Sequence, residues 1–288
     1  MAKNVGATSL LGAASLAAIS LISYSTRISI YPALAVLAAG LAFGLMSALV
    51  AARRLFFLAG ATPHSALLAA LLAVLVTGGM DAPAYVLTVL LTVLLVYIAG
   101  YMIFSDVEPD IATSVLVSFS ASTSVILAYY VKSAAGGADI ASIVFGDPLL
   151  VGPLEAWIAV ATALAVCLVV ALSYREQVYI GVERDLAKIT GMSVWLYDLA
   201  FFTLVGVVVG TMVQIVGFVL EHVLILLPGA AAAMYARSAS EAVLLSVSSA
   251  LAAAGLGLIL SLVLGISPSG ATGLVMLSTY LFLVTRSR

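Results

Sequence analysis

The chain has 288 residues, of which 64% are hydrophobic, with 11 Lys and Arg against 13 Asp and Glu, and a mean hydropathy of +1.27. Soluble chains are about 25% charged, so 8% cannot cover a fold of this size in water, and lipid must cover it instead. The net charge of −2 and the lack of a basic stripe exclude a nucleic-acid binder, and one cysteine, Cys167, excludes an intramolecular disulfide or thiolate metal cage.

Ten apolar runs lie between polar punctuation: 6–25, 31–52, 62–80, 84–104, 111–131, 154–174, 193–212, 213–235, 241–264 and 269–285. Each is long enough to cross a bilayer or nearly so, and the pattern predicts an all-α, polytopic helix bundle of about 8–10 spans in a single transmembrane domain, 1–288. The first run follows Met1-Ala2-Lys3-Asn4 and resembles a signal peptide. Its length, and the lack of a polar domain after it, favour a retained span in an extra N-terminal segment, 1–30. Arg27 precedes the second run, Arg53-Arg54 ends it, Asp81-Ala82-Pro83 parts the third from the fourth, and Ser105–Asp110 ends the fourth. No polar gap separates 193–212 from 213–235, so a broken or reentrant helix is admissible there.

Lys and Arg are retained on the cytoplasmic side. With both termini cytoplasmic, Lys3, Arg53, Arg54, Arg175, Arg184, Lys188, Arg237, Arg286 and Arg288 lie inside, and only Arg27 and Lys132 outside. Two connections are long. The outer one, Lys132–Pro153, contains Phe145-Gly146-Asp147-Pro148. The inner one, Arg175–Met192, is dense in charge, and its middle, Glu183 to Lys188, runs from acids to a base as a short helix prefers. It reads either as a solvated loop or as a docking element for a cytoplasmic partner.

Ionisable side chains inside a bilayer are costly and mark pathways or partners. His64 follows Pro63 at the start of the third run, Asp198 lies one turn into the seventh near the cytoplasmic face, and Gln214, Glu221 and His222 fall in or near the eighth. His64 and His222 are the only histidines. Imidazole and carboxylate suit divalent cations such as zinc, manganese and iron, although neighbours on a helix point about 100° apart and cannot both face one point on an ideal helix. The alternatives are a protonated, hydrogen-bonded Glu221 and a His222 satisfied by a backbone carbonyl. The chain has no G-x-x-x-x-G-K-[ST] and no H-E-x-x-H, so it carries neither a P-loop nor that protease motif.

The order of short motifs resembles the type 3 permease subunits of ATP-binding-cassette importers for zinc, manganese and iron. Arg53-Arg54-Leu55-Phe56-Phe57 resembles the family's R-R-x-x-[FY], and His64 falls on the histidine of its G-D-x-x-x-H. Phe145-Gly146-Asp147 with Leu149, Val151 and Trp157 resembles F-G-D-x-L-x-V…L-W, and Glu183-Arg184-Asp185-Leu186-Ala187 with Gly191 resembles the cytoplasmic D-P-E-L-A-x-x-x-G. Val216-Gly217-Phe218, Leu226-Leu227-Pro228-Gly229-Ala230 and Pro268-Ser269-Gly270 resemble three further segments, and the likeness spans about residues 31–285. Two departures stand out: the family's carboxylate before the histidine is Gly60 here, and Glu221-His222 replaces apolar or hydroxyl-bearing residues.

The resemblance implies a type II importer-like permease, multi-pass in the cytoplasmic membrane, that moves a divalent metal as substrate and is not itself an enzyme. It implies no cofactor bound by this chain. ATP is bound and hydrolysed by cytoplasmic ATPase subunits docked on the coupling segment 175–192, at Glu183, Arg184, Asp185, Leu186, Ala187 and Gly191. An extracellular or periplasmic metal-binding protein delivers the ion, and a second permease chain completes a dimer. His64, Glu221 and His222 would line the path as transient ligands, Glu221 replacing the carboxylate missing at Gly60. The rival reading is a proton-coupled secondary transporter using Glu221; an intramembrane enzyme is the third.

Overall fold

Long apolar runs must satisfy every backbone polar group internally once inside lipid, and the described residues of this sequence do so with helices. The computed structural model describes residues 29–79, 82–105, 107–134, 146 and 148–286. Within them run α1 (Tyr31–Arg53), α2 (Phe56–Thr77), α3 (Ala82–Phe104), α4 (Pro109–Ala134), a single 3₁₀ turn (Pro148–Leu150), α5 (Pro153–Val182), α6 (Arg184–Ile189), α7 (Val194–Val216), α8 (Phe218–Tyr235), α9 (Ala239–Leu264) and α10 (Pro268–Arg286). Nine of these helices are long and apolar enough to cross a membrane, and they fall on the second to tenth apolar runs. The first run, 6–25, and the segment 1–28 as a whole lie outside the described residues, as does most of the 132–153 connection.

The bundle is built around α1, which packs against α5, α9 and α8 and is buried along most of its length. Its contacts with α9 are close because Gly40 and Gly44 face Ala254, Ala250 and Val247. Helix α2 packs on α4 and α3, α3 on α7, and α10 on α9 and α8. The outward faces of α3, α4, α5 and α10 carry Leu, Val, Ile and Phe side chains, such as Leu90, Phe119, Leu164 and Leu274, as a lipid-facing surface requires.

Several boundaries differ from the sequence reading for local physical reasons. Helix α1 stops at Arg54, whose φ of 57° places it in the left-handed region, and α2 resumes at once at Phe56. His64 is therefore two turns inside α2 rather than at its start, and Pro63 sits within the helix. The carbonyl of Ala59, which loses its partner to Pro63, accepts a hydrogen bond from the Thr62 hydroxyl at 2.9 Å. Helix α5 continues beyond the expected 174 to Val182, about 45 Å in all, and so projects well past a hydrocarbon core of about 30 Å. The break between the seventh and eighth runs is a single residue, Gly217, with φ 81° and ψ 159°, a conformation open essentially to glycine alone. At the start of α9, Ser238 accepts from the Glu241 N–H while the Glu241 carboxylate accepts from the Arg237 N–H, a reciprocal cap spelled out by the sequence.

Candidate functional site

Helices α2 and α8 run past each other in opposite directions, and their small and aromatic residues meet in steps of one turn. A Cβ at Gly60 would lie 3.7 Å from Leu226, and one turn further along α2 His64 meets His222 and Phe218. The two imidazoles stand edge to face, ring centres 5.6 Å apart at 86°, and Phe218 lies 4.9 Å from His64 and 5.7 Å from His222. All three rings are half-buried, and His222 Nδ1 is buried with no hydrogen-bond partner among the described residues. The structure thus brings together two of the three residues the sequence singles out for a path, from spans far apart in the chain.

Glu221 is not with them. It lies in the first turn of α8, fully buried, and neither carboxylate oxygen has a hydrogen-bond partner among the described residues. Residues 221 and 226 are about 140° apart around an ideal helix, so the face that carries Leu226 opposite Gly60 is not the face of Glu221. Accordingly, the joint ligand set of His64, Glu221 and His222 does not form: among the described residues no three His, Cys, Asp or Glu side chains gather as a metal-holding group. Among the described residues, the side chain that faces Gly60 is that of Leu226.

The second part of the site lies at the end of the bundle where α1 stops. Here α6 follows α5 after a one-residue break at Glu183, with Asp185 in its first turn and Lys188 in its last, paired at 3.2 Å. Leu186 and Ile189 of α6 are exposed and Ala187 is buried beneath it. Arg184, at the start of α6, reaches Asp198 of α7, Nη2 to Oδ2 at 2.5 Å. Asp198 also binds Arg53 of α1, Nη1 to Oδ1 at 2.5 Å. Arg53 donates from Nε to Gln177 Oε1 of α5 at 2.7 Å and from Nη2 to the same oxygen, and Gln177 Nε2 donates to the Tyr197 carbonyl at 3.1 Å. The Arg53 guanidinium stacks 5.3 Å above Phe201.

Sequence reasoning placed Asp198 near the inner face and missed this network. Its signal is visible in retrospect as three polar residues close to the ends of apolar runs: Arg53 just after the second, Gln177 three residues after the sixth and Asp198 one turn into the seventh. At the opposite end three of the short motifs converge. A Cβ at Gly146 would lie 2.4 Å from the Val216 carbonyl oxygen, which accepts from the Ser269 hydroxyl at 3.0 Å beside Gly217. Phe145 and Asp147 lie outside the described residues.

Comparison with known proteins agrees with this architecture. The "Manganese import system permease protein ScaB" of Streptococcus gordonii is 31% identical over 198 residues, 68% of each chain. The ScaB protein of Streptococcus parasanguinis is 27% identical over 249 residues, 86% of each chain. The solved structure "PsaBC from Streptococcus pneumoniae in complex with Fab" superposes with a TM-score of 0.74 at 22% identity, covering 88% of this chain and 89% of that one. Residues 25–287 match the ABC 3 transport family, and the chain belongs to that family.

Proposed function

We propose that this chain is the permease subunit of an ATP-binding-cassette importer that passes a divalent metal ion, manganese(II) foremost, across the cytoplasmic membrane, with ATP hydrolysed on a separate subunit. The carrying observation is the meeting of the chain's two histidines across α2 and α8. Two imidazole nitrogens are too few to trap a divalent ion and enough to hold one in passing, which is what conduction requires. The choice of manganese rests on the streptococcal relatives, described as manganese import permeases; zinc and iron are the competing cations that imidazole also accepts. The segment Glu183–Gly191, with Leu186 and Ile189 exposed, would seat in a groove of the ATPase. The opposite end, around Gly146, Gly217 and Ser269, would receive the external metal-binding protein, and a second copy of the permease would complete the path.

The test is uptake of radioactive manganese by cells lacking their own importer and supplied with this chain, its ATPase and its binding protein. Replacing His64 and His222 by Ala together should lower uptake at limiting metal at least tenfold, with the ATPase still co-purifying. Normal uptake by that variant would remove the histidine pair from the path. Glu221, buried and without a hydrogen-bond partner among the described residues, favours one rival, proton-coupled transport without an ATPase. Deleting Asp185–Ala187 separates the two: it abolishes ATPase association and uptake under the first reading and leaves uptake intact under the second.

A further inference from the structure

We propose that Asp198 is the positioning residue that ties the ATPase-facing helix α6 to the centre of the bundle, so that ATP-driven displacement of α6 moves α1 and, through it, α8. The inference rests on the importer reading above, because it needs an ATPase to push on α6.

The geometry gives one carboxylate two jobs. Oδ2 takes Arg184 from α6, whose side chain is 42% exposed, and Oδ1 takes Arg53 from α1, whose side chain is 4% exposed. One charge therefore joins the element at the solvent-facing edge to the element at the middle of the fold. Backbone contact reinforces the link, since a Cβ at Gly181 of α5 would lie 2.1 Å from the Ala52 carbonyl oxygen of α1. Helix α1 in turn grips α8: the Gly229 N–H donates to Ser47 Oγ at 2.7 Å, and a Cβ at Gly229 would lie 2.1 Å from the Ser47 carbonyl oxygen. Gly229 is two turns along α8 from His222. Rigid elements joined at such contacts transmit displacement, and the route from α6 to His222 is contiguous.

Stability alone does not account for the arrangement. A buried ion pair replaced by apolar side chains of like volume is often no less stable, because the cost of desolvating both charges offsets their attraction. A second arginine drawn in from a half-exposed helix adds no packing that a leucine could not supply. What the shared carboxylate adds is a fixed position of α6 relative to α1.

The experiment uses the permease with its co-purified ATPase in proteoliposomes, with the metal-loaded external binding protein on the face opposite the ATPase, measuring manganese(II) uptake and ATP hydrolysis in the same vesicles. Asp198→Asn should lower uptake per ATP hydrolysed about tenfold. Arg184→Gln spares the buried Arg53–Asp198 pair and so keeps the fold, and it should lower the same ratio; Arg184→Lys should recover part of it. An unchanged ratio in Arg184→Gln, or uptake and hydrolysis falling in proportion, overturns the inference. If the unaltered chain retains no ATPase, or its uptake is independent of ATP, the importer reading fails first, and the inference with it.

Discussion

At the scale of single residues, two buried groups carry opposite expectations for stability. Glu221 is fully buried with both carboxylate oxygens unpartnered among the described residues. Leaving a buried polar group without a partner costs about 1–3 kcal/mol. Glu221→Leu should therefore raise the thermal midpoint of the detergent-purified protein while its uptake is followed in parallel. A lower midpoint would mean that Glu221 holds a stabilising partner. Gly217 is the reverse case. Its φ of 81° and ψ of 159° admit no Cβ without strain of about 1–3 kcal/mol, so Gly217→Ala should lower the midpoint or the yield of folded protein. An unchanged midpoint would show that the α7–α8 junction relaxes to another conformation.

At the scale of elements, the close approach of α5 to α1 decides where α6 sits. The carbonyl of Ala52 leaves no space beside Gly181, and both partners are backbone, so neither can swing aside. Gly181→Ala should push the two helix ends apart, cost about 1–3 kcal/mol of overpacking, and weaken retention of the ATPase on affinity purification. Full retention would place the docking surface elsewhere than α6. These elements were readable to different depths in the sequence. The spans were legible because charges such as Arg53, Arg54 and Glu108 interrupt apolar runs, and the short helix α6 because Asp185 and Lys188 stand at its proper ends. The depth of His64 was not, because Pro63 reads as a helix start in water, whereas in a membrane helix the Thr62 hydroxyl satisfies the carbonyl that proline strands. The histidine pair and the Asp198 network were only half legible: periodicity names polar residues in apolar helices, but which helices neighbour one another is set by packing such as Gly60 on Leu226 and Gly181 on Ala52.

At the scale of the whole molecule, the contacts sort the bases to one end. Asp198 binds both Arg53 and Arg184, the Tyr174 hydroxyl beside Arg175 donates to the Ala239 carbonyl beside Arg237, and the Tyr235 hydroxyl donates to the Leu283 carbonyl in the helix that ends at Arg286. The other end holds the 3₁₀ turn, the Gly217 junction and the start of α10, with no Lys or Arg among the described residues there except Lys132 in the last turn of α4. Retention of basic residues in the cytoplasm then predicts an orientation with α6 inside. The chain offers a direct check, because Cys167 is its only cysteine. In a Cys167→Ala background, Leu150→Cys and Ile266→Cys place thiols at positions 80% and 44% exposed at the end that holds Gly217, and Arg237→Cys places one at the end that holds α6. A membrane-impermeant maleimide should label the first two in intact cells and the third only after permeabilisation. The opposite pattern would invert the whole bundle, moving α6 and its arginine to the side where no ATP is available. Labelling of Leu150→Cys together with Arg237→Cys in intact cells would instead break the alternation between α5 and α9, and the one-residue turn at Gly217 would no longer separate two full crossings.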